Sequence, residues 1–205
     1  MRTNNKYSLT LFAISIFCLS SFFNLNALEE DKFKDVMIKT IEVGDGIYML
    51  MGKGGNIGVS VGEDGVFLID DQYAPLTGKI KAAVAKISDQ PIKFVINTHW
   101  HNDHSGGNEN LGKENVLIVA HDNVYKRMSV ESHIKAFGAI VPASPKEALP
   151  IITFRDRVIF RLNGHEIGVL HTSNAHTDGD SLVKFMGSNI VHTGDLWFNG
   201  LYPFI

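Results

Sequence analysis

The stretch His99-Trp100-His101-Asn102-Asp103-His104 places four side chains that can bind a metal within six residues. It follows residues 92–97, an apolar run that predicts a buried strand, and it precedes the pair Gly106-Gly107. His99 and His101 would share one face of a strand, whereas His104 would point elsewhere. The pattern therefore predicts a turn that directs these side chains to one point. Imidazole with carboxylate is a ligand set that suits Zn²⁺.

A polar surface loop with chance histidines is the alternative interpretation. The 205-residue chain has nine histidines, and three of them fall in this window beside Asp103. Their position directly after a predicted buried strand argues against chance, because ligands in layered α/β domains gather at strand ends. We therefore interpret the cluster as a metal site.

The His-x-His-x-Asp-His pattern after a strand resembles the signature of the metallo-β-lactamase superfamily. Two later stretches are similar to the second and third metal motifs of that family: Ala175-His176-Thr177-Asp178-Gly179-Asp180 and Val191-His192-Thr193-Gly194-Asp195. The resemblance covers nearly all of the chain after residue 27. It implies an α/β fold, the αββα sandwich of this superfamily.

The resemblance also implies a set of metal ligands. It assigns His99, His101 and His176 to one zinc ion, and Asp103 and His104 to a second. Asp195 looks like the bridging carboxylate of glyoxalase II-like members. The one cysteine of the chain, Cys18, lies in the N-terminal segment, so the sequence departs from the cysteine-containing β-lactamase classes.

The strand and helix patterns fit such a sandwich. Short β-branched or aromatic runs between glycine-rich turns predict strands at residues 36–43, 47–51, 57–61 and 65–70. Helical spacing of apolar residues predicts a helix at 75–86 and the start of another at 122–128. A further strand is predicted at 115–120, and a loop-rich stretch at 129–148. Beyond that stretch, strands are predicted at 151–154, 158–162, 166–171, 181–185 and 190–192. Strands, helices and strands again predict two sheets packed face to face.

The N-terminus carries the pattern of an export signal. Arg2 and Lys6 precede an apolar run at residues 9–23, and Ala27 offers a small residue before an acidic stretch. We predict a signal peptide over residues 1–27, a domain over 28–205, and a periplasmic or secreted product. Cleavage would lower the net charge from −3 to −5. Such acidity argues against nucleic-acid partners, which need a basic face, and cleavage would leave no membrane anchor.

One departure concerns the end of the chain. The pattern of the superfamily has a further histidine on the second zinc, beyond the position of Asp195, and no histidine follows His192 here. We therefore expect a fragment that lacks the last strand and helix units and holds the second metal weakly.

Together these features predict an exported binuclear zinc hydrolase. A metal-bound hydroxide would attack an ester, thioester, lactone or β-lactam carbonyl of a small molecule, and Asp103 would orient it or act as general base. Two alternatives stay open: an iron-dependent member of the fold similar to persulfide dioxygenases, and a non-catalytic or truncated metal-binding homologue. The residues do not distinguish zinc from iron.

Residues around the ligands carry weaker predictions. Asp70 or Asp71, at the end of a strand, could accept a proton from a ligand imidazole, as supporting carboxylates often do. Asp178 and Asp180 are expected to support the site without binding the metal. For His192 we predict a structural role, and for His121 and His171 a place in the core or behind the ligands.

Overall fold

The computed structural model describes residues 32–134 and 138–202. The chain divides into two compact units, Met1–Asp35 and Val36–Ile205. In the first unit, residues 32–35 form a helical turn. The predicted signal peptide lies outside the described residues. No helix within the described ranges is long and apolar enough to span a bilayer.

The second unit contains thirteen strands within its described residues. They are β1 Lys39–Gly44, β2 Ile47–Met51, β3 Ile57–Ser60, β4 Val66–Ile69, β5 Ile92–Ile96, β6 Leu117–His121, β7 Ser132–Ile134, β8 Ala139–Val141, β9 Ile152–Phe154, β10 Arg157–Leu162, β11 His165–His171, β12 Ser181–Phe185 and β13 Ile190–His192. The α-helices are α1 Thr77–Val84, α2 Asn102–Ser105, α3 Asn108–Gly112 and α4 Asp122–Met128. Short 3₁₀ turns occupy Ala74–Leu76, Lys146–Ala148 and Gly194–Leu196.

The larger sheet has seven strands in the order β1-β2-β3-β4-β5-β6-β9. The first four strands are antiparallel neighbours, as the glycine-rich turns predict, whereas β4, β5, β6 and β9 run parallel. Parallel strands end at the same edge of a sheet, and α/β proteins bind ligands at that edge. The segments that follow β4 and β5 are therefore placed side by side.

The smaller sheet, β10-β11-β12-β13, is antiparallel and packs against the larger one. Ile69, Ile96 and Val119 form one row across the larger sheet and share a buried cluster with Val169 and Val183 of the smaller sheet. Each of these side chains is fully buried. Burial of apolar side chains at about 25 cal/mol per Å² is the main stabilising contribution to such a layered core.

The opposite face of the larger sheet is buried too. Val66 and Leu68 alternate with the inward residues of β4 and are fully covered. Helix α1 buries Ile80 and Val84 on one side. The outer face of the smaller sheet is exposed at Ile159 and Val191.

The predicted sandwich of two packed sheets is confirmed. The expectation that the last strand and helix units are missing stays a prediction. The domain limits 28–205 also stay a prediction. Two short features were not predicted. The loop-rich stretch 129–148 contains the antiparallel pair β7 and β8, and helix α2 begins within the histidine cluster, at Asn102.

Candidate metal centre

The centre lies at the carboxyl edge of the parallel strands. β4 ends at Ile69 and delivers Asp70, and β5 ends at Ile96 and delivers Thr98 and His99. Asp70 adopts a φ of 63°, in the left-handed region that non-glycine residues seldom occupy. This conformation is tolerated because the surrounding contacts fix it, which is common at functional sites.

Asp70 ties the two strand ends together. Its Oδ1 accepts from the backbone nitrogen of Thr98 at 2.7 Å, and its Oδ2 accepts from Thr98 Oγ1 at 2.8 Å. The same Oδ2 lies 2.8 Å from Nδ1 of His104. This contact fixes Nδ1 of His104 as the donor and leaves Nε2 to face the centre. Asp71 instead accepts from the backbone nitrogen of Gly107 at 2.9 Å.

His99, His101 and His176 form the first ligand group. Nε2 of His99 lies 3.1 Å from Nδ1 of His101, and Nε2 of His176 lies 2.9 Å from that same nitrogen. One ring nitrogen from each of the three residues lies within 4.8 Å of the other two. Two nitrogens on one tetrahedral zinc stand about 3.3 Å apart, given Zn–N bonds near 2.0–2.1 Å. The observed spacing is close to that value.

His99, His104 and Asp195 form the second ligand group. Nε2 of His104 lies 3.0 Å from Oδ1 of Asp195, yet this buried nitrogen makes no hydrogen bond within the described residues. A buried polar atom without a hydrogen bond is costly. A cation among these ligands would remove that cost, so the residues present fit a bound metal.

Asp195 lies between the two groups. Its Oδ2 is 3.6 Å from Nε2 of His176, while its Oδ1 faces His104. The chain reaches this position through Gly194, whose φ is 52° and where an added Cβ would come within 2.7 Å of Thr98. Glycine is therefore required for this close approach. The bridging role of Asp195 stays a prediction.

Asp103 lies at the margin of the second group. Its Oδ2 is 3.5 Å from Nε2 of His104, and its side chain is 31% exposed. Burial raises the pKa of Asp103 above its usual range, and the nearby Asp195 charge adds to this shift against the lowering influence of His104. The carboxyl of Asp103 can therefore contact His104 or hold a proton beside it.

The two groups have opposite electrostatics. Burial and the neighbouring imidazoles lower the pKa of His99 well below its usual range and that of His101 to about 4. Burial also opposes a charge on His104, but the carboxylates of Asp70, Asp195 and Asp103 outweigh it and raise its pKa. The pKa of Asp195 is lowered because its contact with His104 and the nearby imidazoles outweighs burial.

A separate network places His176. Asp180 accepts from the backbone nitrogen and the hydroxyl of Thr177 at 2.6 and 2.7 Å. The backbone nitrogen of Ser181 donates to the carbonyl of Thr98 at 2.9 Å. The turn that carries His176 is thus fastened to the segment that carries His99.

Comparison with known proteins decides the family. The model of the metallo-β-lactamase superfamily matches residues 51–205, most of the chain. The chain belongs to the metallo-β-lactamase superfamily.

Solved structures share this metallo-β-lactamase fold. A subclass B3 enzyme described by its active-site glutamic acid is 22% identical with a TM-score of 0.62, over 77% of this chain and 60% of that one. BJP-1, a B3 enzyme of Bradyrhizobium japonicum, is 20% identical with a TM-score of 0.60, over 76% and 60%. A Cronobacter sakazakii metallo-β-lactamase with a HARLDQ motif is 17% identical with a TM-score of 0.64, over 82% and 62%. This metallo-β-lactamase-fold chain thus spans about three fifths of their length.

The histidines outside the ligand groups have ordinary partners in this superfamily member. Nε2 of His192 lies 2.9 Å from the carbonyl of Asn56, in keeping with its predicted structural role. His121 and His171 stack with ring centroids 3.8 Å apart, and Nδ1 of His171 lies 2.8 Å from the carbonyl of Asp180. Asp178 pairs with Arg127 at 2.8 Å.

Sequence reasoning left Asp70 and Asp71 as alternatives, and the contacts of this metallo-β-lactamase fold single out Asp70. It missed Asn97 and Asn108, which flank the ligand segment. The sequence signal was their position immediately outside the segment from Thr98 to Gly107. That position becomes informative only once the two amides are seen to meet.

Proposed function

We propose that this chain carries the two-metal centre of an exported zinc hydrolase that acts on a small carbonyl substrate. His99, His101 and His176 would hold one ion, with His104, Asp103 and Asp195 around the other. The observation that carries the proposal is the convergence of these side chains around the buried Nε2 of His104, which makes no hydrogen bond within the described part of the chain although Oδ1 of Asp195 lies 3.0 Å away. Export rests on the N-terminal sequence pattern alone.

Two bound divalent cations would lower the pKa of a water molecule and polarise the substrate carbonyl. The residues of the chain would orient these groups and transfer protons. Asp103, a partly exposed carboxyl beside His104, is placed to accept a proton from the attacking water. Asp70 keeps the ring of His104 in one orientation, which preserves the geometry during turnover.

A groove of about 550 Å³ opens beside the second ligand group and supports a small organic substrate. Asp103, His104 and Asp195 lie along its polar side. Met49 and Trp197 supply apolar walls, and Trp197 is 62% exposed. Such a combination of an apolar wall with few convergent polar groups is typical of small-molecule sites. It suits an ester, thioester, lactone or lactam that carries an apolar substituent.

The test combines metal content with turnover. The purified protein would be saturated with Zn²⁺, its metal counted, and its hydrolysis of a chromogenic β-lactam, a lactone and a thioester measured. We expect two ions per chain and turnover of at least one substrate. Metal-loaded protein that hydrolyses none of them would contradict the hydrolase, and tightly bound iron after purification would favour the dioxygenase-like alternative.

A further inference from the structure

Two buried asparagines close the base of the ligand segment. Nδ2 of Asn97 donates to Oδ1 of Asn108 at 3.0 Å, and Nδ2 of Asn108 donates to Oδ1 of Asn97 at 2.8 Å. Both residues are fully buried. A reciprocal amide pair in a buried site holds both side chains in one orientation, because the loss of either amide would leave a buried polar group of the other unsatisfied.

The pair also reaches beyond itself. Nδ2 of Asn97 lies 3.5 Å from the carbonyl of His104, a ligand of the second group. Nδ2 of Asn108 donates to the carbonyl of Ala148 at 2.9 Å. The segment is therefore anchored both to the end of β5 and to the 3₁₀ turn at Lys146–Ala148.

The segment between the asparagines needs such an anchor. Its one helix, α2, contains four residues, and a helix of this length is not stable by itself. The backbone position of Asp103 and His104 must therefore be set by tertiary contacts.

The ligands nearest β5 are held differently. Thr98 is bonded to Asp70 through both its nitrogen and its hydroxyl, and its carbonyl accepts from Ser181. These contacts fix His99 without the asparagine pair. Asp70 also orients the ring of His104, but through the side chain rather than through the backbone.

We propose that Asn97 and Asn108 are positioning residues that set the backbone of His104 and thereby the affinity of the second metal. This inference rests on the two-metal function proposed above. The first metal shares only His101 with the anchored segment, because His99 and His176 are held through Thr98 and Ser181. Loss of the pair therefore weakens the two metals unequally.

The experiment measures Zn²⁺ binding by the purified chain in competition with a chromogenic chelator. Asn108→Ala is expected to raise the dissociation constant of the second Zn²⁺ by about 10- to 100-fold, the usual cost of losing a supporting contact. The first dissociation constant should stay within about threefold of the wild-type value, since its supports differ.

Asn110→Ala is the matched control. Asn110 lies on the same helix, and its amide donates to the carbonyl of Ala74 and to Thr77 Oγ1, each at 3.1 Å. The Asn110→Ala substitution removes an amide of the same size from α3 but leaves the Asn97–Asn108 pair intact. Both Zn²⁺ dissociation constants should therefore match those of the wild type.

The double variant Asn97→Leu/Asn108→Leu separates positioning from folding. It replaces both amides by apolar groups of similar shape, so the reciprocal bonds are removed together and the carbonyl of Ala148 is the acceptor that loses a donor, which costs less stability than breaking the pair from one side. A folded double variant with a weakened second site supports the proposal. Failure of both the single and the double variant to fold would show that the pair serves the fold, and the proposal would be wrong.

The remaining outcomes distinguish the two levels of inference. Wild-type protein that binds two Zn²⁺ ions while Asn108→Ala binds both with unchanged constants overturns the positioning role alone. Wild-type protein that binds no second ion overturns the two-metal function, and the positioning role with it.

Discussion

The two ligand groups of this centre share His99 but differ in the charges around their other members. In the first, His99 and His101 have lowered pKa values because burial and neighbouring imidazoles disfavour their charged forms. In the second, His104 is surrounded by the carboxylates of Asp70, Asp103 and Asp195, which raise its pKa against the opposing influence of burial.

This difference teaches how one centre can hold two cations. Neutral imidazoles present lone pairs at short distance and need no proton to be removed before a metal binds. The carboxylates of the second group supply negative charge that balances a cation, but they also favour a proton on His104. We infer that metal binding by the first group depends on the geometry of its imidazoles, whereas metal binding by the second group depends on the surrounding carboxylate charges.

Loss of His99 should have the largest effect, since His99 is assigned to the first metal and also lies beside the second group. We expect His99→Ala to lose the first metal, to bind the second more weakly and to lower hydrolysis by more than about 100-fold, beyond the usual cost of losing a supporting contact. Metal counting and steady-state assays measure this. His133→Ala, at a histidine whose side chain is 60% exposed, is the control and should retain both. A His99→Ala variant with two tightly bound ions would contradict the assignment.

A smaller effect should separate the two neighbouring carboxyls, Asp70 and Asp71. Asp70→Asn removes the charge that partners buried His104, so we expect a loss of about 3 kcal/mol in the free energy of unfolding, together with a weaker second metal. Burial raises the pKa of Asp71 well above its usual range, with backbone donation from Gly107 opposing it. Asp71→Asn should therefore cost about 1 kcal/mol or less, because it replaces a group that favours its neutral form.

Chemical denaturation of the metal-free variants measures both values. Equal losses in the free energy of unfolding for Asp70→Asn and Asp71→Asn would contradict a special stabilising role for the carboxylate charge beside His104.

The smallest effect concerns pH and the stacked pair His121 and His171. Burial and the adjacent His171 lower the pKa of His121, with weaker influences from Asp122, Arg155 and Lys126. A lowered histidine pKa means that the folded state binds fewer protons than the unfolded state. The stability that neutral His121 contributes is thus complete above the ordinary histidine pKa of about 6.5 and is lost as the pH falls below it.

His121→Asn would test this while keeping a side-chain acceptor for the backbone of Asn123 at the start of α4. Thermal unfolding of metal-free protein from about pH 7.5 to about pH 5.5 should show a shallower loss of stability in the variant than in the wild type. Identical slopes would mean that the stacked pair does not contribute to the pH dependence.

Much of the fold could be predicted from local pattern. The limits of β2, β12, β13 and α4 agree with prediction because each is a regular run bounded by clear turn residues. The helices α2 and α3 were missed, since four or five residues carry too little periodicity to recognise. The hairpin of β7 and β8 was missed for the same reason.

The sequence by itself determined the chemistry of the centre and its place at the end of a strand. The candidate ligands His99, His101, Asp103 and His104 lie within six residues, so a turn after the predicted strand is enough to bring their side chains near one another, and an apolar run predicted that strand. Tertiary structure decided which partners act on these ligands. Asp70 and Asp71 are adjacent, yet their side chains leave the backbone in different directions, and only one meets His104. Asn97 and Asn108 meet only because the segment between them folds back, which no local pattern reveals.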